Sequence, residues 1–172
     1  MNILTAEVST PLGLLHIGGD AERIAEITWS PRSGTDHGGE LDWFLEALEG
    51  YLRGRVKTFP GGLGFTGQRP VWFRTAPRSR AETFLQKTYQ AMCAIRYGQT
   101  RSYAGVGQAL GNRFLARAVG NVSAANPLPI VVPCHRVVGA HSLGGYSGGL
   151  EKKRWLLDIE GALQPGAQPM GT

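Results

Sequence analysis

Cysteine is scarce in this chain of 172 residues: only Cys93 and Cys134 occur. Two thiols build no disulfide framework, and both are expected to be reduced, as in the cytoplasm. Long apolar runs are missing too, which excludes a hydrophobic membrane-spanning helix and argues against a membrane partner. The opening segment, Met1 to Glu7, lacks the basic and apolar regions of a secretory signal. No cysteine precedes Cys93, and the only histidines there are His16 and His37. That donor set is too thin for a zinc site, so neither a metal nor a cofactor is expected.

Acidic residues are absent from one long stretch. Between Glu82 and Glu151 there is no Asp or Glu, while Lys87, Arg96, Arg101, Arg113, Arg117 and Arg136 fall there. Residues 1–75 carry seven basic and nine acidic side chains, and residues 76–172 carry eleven and four. A one-sided positive field draws polyanions, so nucleic acid is the partner class to weigh against a merely solvated basic face.

The length suits one domain or two small lobes. In the first lobe Leu4–Val8, Leu14–Ile17 and Ile24–Trp29 read as short strands punctuated by Pro11, Gly13, Gly18-Gly19-Asp20 and Pro31. Leu41, Phe44, Leu45, Leu48 and Leu52 recur at helical spacing, predicting an amphipathic helix over 40–53. The glycine-rich stretch Phe59–Gly67 reads as loop or irregular strand. Further on, Phe84, Leu85, Thr88, Met92 and Ile95 predict a helix ended by Tyr97-Gly98. A helix over 102–110 follows, capped by Thr100 or Ser102, then a Gly111-Asn112 turn and a helix over Arg113–Val122. Two helices joined by a short turn, the second carrying arginines, form a helix-turn-helix pattern, though most such pairs are ordinary bundle elements. Glu151–Glu160 predicts a last helix, with Trp155, Leu156 and Ile159 inward and Lys152 and Lys153 in solvent. The expectation is an α/β protein. A small N-terminal lobe (1–78) holds a short antiparallel sheet and a helix; a mostly helical, winged-helix-like lobe spans 79–161; a disordered tail spans 162–172.

The chemistry gathers at Ile130-Val131-Val132-Pro133-Cys134-His135-Arg136-Val137-Val138-Gly139. The β-branched run reads as a strand delivering Cys134 and His135 to a pocket. A lone cysteine is more often a small core hydrophobe than a nucleophile. The polar neighbours His135 and Arg136 argue for the second role. Reactivity then requires that the thiol lose its proton to a partner, and the adjacent imidazole is the obvious one.

Pro133-Cys134-His135-Arg136-Val137-Val138 resembles the active-site motif of the O6-alkylguanine-DNA alkyltransferases, also called methylated-DNA–protein-cysteine methyltransferases. Ser102-Tyr103, Ala116-Arg117-Ala118-Val119-Gly120, Asn126-Pro127, Tyr146-Ser147-Gly148-Gly149-Leu150, Lys153-Arg154-Trp155-Leu156-Leu157 and Glu160-Gly161 follow in family order. The resemblance runs from about Phe84 to Gly161. It implies direct-reversal DNA repair: O6-alkylguanine, and O4-alkylthymine, is turned out of duplex DNA and its alkyl group moves irreversibly to Cys134, one transfer per molecule. It implies that Glu160 orients His135, which acts on Cys134 through a water. Tyr103 crowds the flipped nucleotide and meets the base at N3, and Asn126 braces the active-site turn. The carbonyls of Cys134 and Val137 accept from the guanine amine, Tyr146 and Ser147 face O6, and Val138 lines the same strand. Arg117 fills the vacated stack, with Arg101, Ser102, Tyr103, Arg113 and Ala116 on the DNA face. Double-stranded DNA carrying the lesion is the one partner implied, and the protein acts as a cytoplasmic monomer.

Plainer readings stand beside these. The alternative for Arg117 is a phosphate clamp, for Tyr103 a core residue at a helix start, and for Glu160 helix-end decoration. Arg96 and Arg113-Phe114-Leu115 depart from the family pattern, which usually has Pro before Tyr-Gly and Pro-Lys-Ala. The competing functions are a damage-recognition module that does not react, a thiol hydrolase, and a winged-helix regulator. The last two leave either the acid-free basic span or Cys134-His135 without a purpose.

Overall fold

Alternating burial sets the first strands. In β1 (Leu4–Thr10) Ala6 and Val8 point inward, and in β2 (Gly13–Asp20) Leu15 and Ile17 do. With β3 (Arg23–Thr28) they form antiparallel pairs, Ala6 opposite Ile17 and Ile17 opposite Ile27. This computed structural model describes residues 3–66, 69–74 and 83–163. The chain divides into two compact units, Met1–Arg80 and Ala81–Thr172.

In the first unit β4 (Thr35–Asp36), β5 (Gly62–Thr66) and β6 (Arg69–Phe73) complete a sheet of order β4-β1-β2-β3-β6-β5. Only the β4–β1 pair among these is parallel. Helix α1 (Asp42–Leu52) buries Phe44, Leu48 and Tyr51. Phe59 stacks on Phe44 at 5.7 Å, lies 5.3 Å from Tyr51 and meets Trp72 edge-on at 6.4 Å, tying α1 to β6. The Gly-rich stretch after Phe59 is a true strand, because pairing with β6 supplies what its composition does not. Pro70 is tolerated in β6 because β3 pairs only with Trp72 and Phe73.

The second unit is mostly helical. Thr83 opens α2 (Phe84–Cys93) with a reciprocal capping box to Gln86. Ser102 caps α3 (Tyr103–Ala109), its hydroxyl accepting from the Gly105 amide at 2.9 Å. Gly107 lets the following turn approach, since a Cβ there would lie 2.8 Å from the Asn112 carbonyl. A 3-10 turn, Arg113–Leu115, leads into α4 (Ala116–Ala124), so the expected second helix begins three residues late. β7 (Arg101–Ser102) pairs in parallel with β8 (Val137–Val138), and α5 (Leu150–Ile159) closes the unit. The succession of α3, turn and α4 matches the helix-turn-helix reading, within a mixed α/β fold.

Three expectations change. The run Ile130–Val132 is not a strand: it is a buried turn in which the Val132 amide donates to the Leu128 carbonyl at 2.9 Å. Pro127, Pro129 and Pro133 remove amide donors around it, so burial rather than sheet pairing explains the apolar run. Lys153 is fully buried rather than solvated, and Leu157 is buried with Leu156 where Trp155 and Ile159 were expected. Of the expected tail, Ala162 is buried against Val138 and Leu157, and residues 164–172 lie outside the described residues.

Candidate active site

Every side chain of the site belongs to the second unit. Cys134 opens a 3-10 turn, Cys134–Arg136, and is only 3% exposed. It lines a cavity of about 220 Å³ together with Tyr103, Gly120, Ser123, Ala124, Gly145, Tyr146 and Ser147. Asn126 is buried beside it and uses its whole amide. Nδ2 donates to the Val132 carbonyl at 2.8 Å and to Cys134 Sγ at 3.2 Å, while Oδ1 accepts from the Leu128 amide at 3.0 Å. Burial raises the Cys134 thiol, opposed by the Asn126 hydrogen bond, the Lys153 charge and the local backbone amides. The resting group is therefore a thiol held among groups that favour the thiolate. Cys93 has no such set: burial pushes it up to about 12, which makes it inert.

His135 and Arg136 are buried as well, so exposure is not what distinguishes this motif from core. One carboxylate engages both side chains. Glu160 Oε1 lies 2.7 Å from His135 Nε2, and both Glu160 oxygens accept from Arg136 Nε at 2.9 and 3.1 Å. Arg136 Nη2 adds a bond of 2.9 Å, and the Gly98 amide donates to Oε2 at 3.0 Å. Burial alone would raise the Glu160 carboxyl, but the hydrogen bonds and charge of His135 and Arg136 outweigh it and hold it at about 2. These bonds explain how a carboxylate sits at the unfavourable C-terminal end of α5. Burial, with the charges of Arg136 and Lys153, lowers the His135 pKa despite Glu160. A neutral imidazole with Nε2 turned to Glu160 presents Nδ1 as its remaining ring nitrogen. Arg136 braces the interior, reaching the Ile95 carbonyl at 2.6 Å, and is too buried for a phosphate.

Lys153 is the residue the sequence did not reveal. Its ammonium donates to the Val137 carbonyl at 2.6 Å and to the Gly145 carbonyl at 2.9 Å, and lies 5.9 Å from the Tyr103 ring centre. Tyr103 Oη donates to the same Gly145 carbonyl at 3.3 Å. One loop carbonyl thus gathers the lysine and the tyrosine. Burial lowers the Lys153 ammonium to about 8, and the neighbouring Cys134 opposes that fall. Its place one residue beyond Lys152 on an amphipathic helix carries no mark of burial, which is why pattern reading put it in water.

The family model described as the DNA-binding domain of 6-O-methylguanine DNA methyltransferase matches residues 83–162. A methylated-DNA–protein-cysteine methyltransferase of Salmonella typhimurium is 37% identical over 171 residues, covering 95% of this chain and 98% of its own. This chain belongs to the methylated-DNA–protein-cysteine methyltransferases. A probable member from Acanthamoeba polyphaga mimivirus is 44% identical over 96 residues, 56% of this chain and 64% of the relative. The crystal structure of Mycobacterium tuberculosis OGT in complex with DNA superimposes with a TM-score of 0.73 at 29% identity, covering 95% of this chain and 94% of that one.

The remaining residues that the family resemblance singled out fall into three groups. Arg113, in the 3-10 turn, and Arg117, in the first turn of α4, are exposed, and Ala116 is half-buried. Arg101 and Ser102 are half-buried, their backbones paired with Val137 and Val138, and the Ser102 hydroxyl is engaged as a helix cap. Val137 and Val138 are buried and are not among the side chains lining the cavity. Their pairing with β7, and the packing of Val138 on Leu157 and Ala162, turns them into the core. One lone pair of the Val137 carbonyl is already taken by Lys153. Among the described residues no helix is long and apolar enough to cross a membrane.

Proposed function

We propose that this protein repairs O6-alkylguanine in double-stranded DNA by moving the alkyl group to Cys134. The observation that carries this reading is the thiol on the cavity wall beside a buried His135–Glu160 pair. The lesion is stacked within the duplex, and a sulfur buried in a cavity reaches its alkyl carbon only after the nucleotide is turned out. Arg117 fills the gap left in the stack, and Arg113, Arg101, Ser102 and Ala116 hold the backbone. Tyr103, Tyr146 and Ser147 contact the base, with Val137 and Val138 setting the wall behind Cys134.

The Cys134 proton passes to His135 through a water, and Glu160 stabilises the imidazolium so formed. The thiolate sulfur bonds to the alkyl carbon as the carbon–O6 bond breaks, its electron pair leaving with the guanine. Tyr103 lends a proton to the departing base, which leaves as neutral guanine, and the proton taken by His135 returns to the Tyr103 phenolate. The thioether left on Cys134 has no route back to a thiol, so each molecule acts once. The same displacement serves O4-alkylthymine. No cofactor enters the balance, and one chain acting as a cytoplasmic monomer supplies every group.

Intact mass and peptide mapping after mixing with a duplex containing O6-methylguanine test this. One methyl group on Cys134, guanine restored and no second turnover is the expected result. Tight lesion binding with no mass change would make the protein a recognition module instead.

A further inference from the structure

Phe114 is 86% exposed, far beyond the next large apolar side chain among the described residues, Ile3 at 59%. It does not hang on a loose loop. The Asn112 side chain accepts from the Phe114 amide at 2.9 Å, and Gly107 packs closely under the same turn. The turn runs directly into α4, so Phe114 and Arg117, three residues apart, share a face. Asn121 and Ala124 continue that exposed stripe. Gly120 and Ala124 also line the cavity that holds Cys134, so α4 carries the pocket wall and the turn that leads into it carries the aromatic ring. Six residues separate Phe114 from Gly120, about 9 Å of helix rise, or roughly three base-pair steps at ~3.4 Å each.

An isolated exposed apolar side chain needs no explanation in general. One held rigidly beside exposed Arg113 and Arg117, within a span free of acidic residues, does. Resting on the DNA-repair reading above, we propose that Phe114 is an apolar DNA contact. Its ring packs against sugar and base edges a few base pairs from the flipped nucleotide. Aromatic contact of this kind is sequence-tolerant and releases no counterions. Phe114 therefore contributes grip that salt does not weaken, while Arg113 and Arg117 contribute grip that salt does.

The test is duplex affinity of the full chain across a salt series, on undamaged and O6-methylguanine duplexes. Phe114→Ala should weaken both about tenfold with the salt slope unchanged, and Phe114→Trp should restore affinity. Arg113→Ala should instead lower the slope by about one. The methyl-transfer rate on free O6-methylguanine nucleobase should be the same in Phe114→Ala as in the parent. Unchanged duplex affinity in Phe114→Ala overturns the proposal. So does a loss of affinity accompanied by altered sedimentation of the free protein, which would assign the ring to contacts between copies. If the parent protein takes up no methyl group, the repair reading fails, and affinity for undamaged duplex still decides Phe114.

Discussion

Glu160 Oε1 stands 2.7 Å from His135 Nε2 across 25 residues of chain. The same carboxylate holds Arg136, so one acidic side chain sets both the orientation of the imidazole and the neutrality of the interior around it. Glu160→Gln should leave the Arg136 guanidinium buried without its counter-charge, costing about 3–5 kcal/mol. Loss of the imidazolium partner should slow methyl transfer by about a hundredfold or more. A folded Glu160→Gln protein that reacts at the parent rate would remove Glu160 from the relay.

The same group sets acid stability. Its folded pKa of about 2 lies below the ordinary 4.5, so the stabilisation is complete above the ordinary value and drains away as pH falls toward about 2. Urea midpoints measured from pH 6 down to 2 should fall steeply in the parent, and the gap to Glu160→Gln should narrow at the acid end.

Asn126→Ala should strand the buried Leu128 amide at about 1–3 kcal/mol, while the Val132 carbonyl keeps its bond from the Cys134 amide. It also removes a hydrogen bond that draws the Cys134 thiol down against burial. The rising limb of the pH–rate profile should then move to higher pH. A limb that stays in place would separate Asn126 from thiol activation and leave it a brace only.

Lys153 contributes a positive charge near Cys134 until it loses its proton near pH 8. The methyl-transfer rate should climb with pH as the thiol gives up its proton, then fall in more alkaline solution once that charge has gone. Lys153→Met should be slower throughout and lack the falling limb. Quench-flow rates on a methylated duplex from pH 6 to 10 distinguish the two shapes; an identical falling limb in the variant would assign it elsewhere.

Gly144 has φ of 68°, and a Cβ there would lie 2.7 Å from Tyr103 Cε2 and 3.0 Å from its hydroxyl. Gly144→Ala should displace Tyr103 or the loop that anchors it, slowing transfer by about tenfold or more, with duplex affinity little changed. Gly54→Ala, also at a left-handed φ of 70° but meeting nothing within 4 Å, is the control and should react normally. Equal rates for both would mean that Tyr103 tolerates displacement.

The sequence by itself determined the helices with a clean 3.6-residue period, the strands of the first hairpins, the charge asymmetry, and the adjacency of Cys134 and His135. These are local properties: period, capping chemistry and neighbouring side chains are written within a few residues. Tertiary structure decided the rest. Gly62–Thr66 is a strand because β6 lies beside it, and Ile130–Val132 is a turn because no strand does. Lys153 is buried because two carbonyls, Val137 and Gly145, converge on its ammonium. Glu160 reaches His135 only because α5 ends against the turn that carries Cys134. A hydrophobic pattern records how often a residue faces inward, and it holds no record of which distant polar group will meet it there.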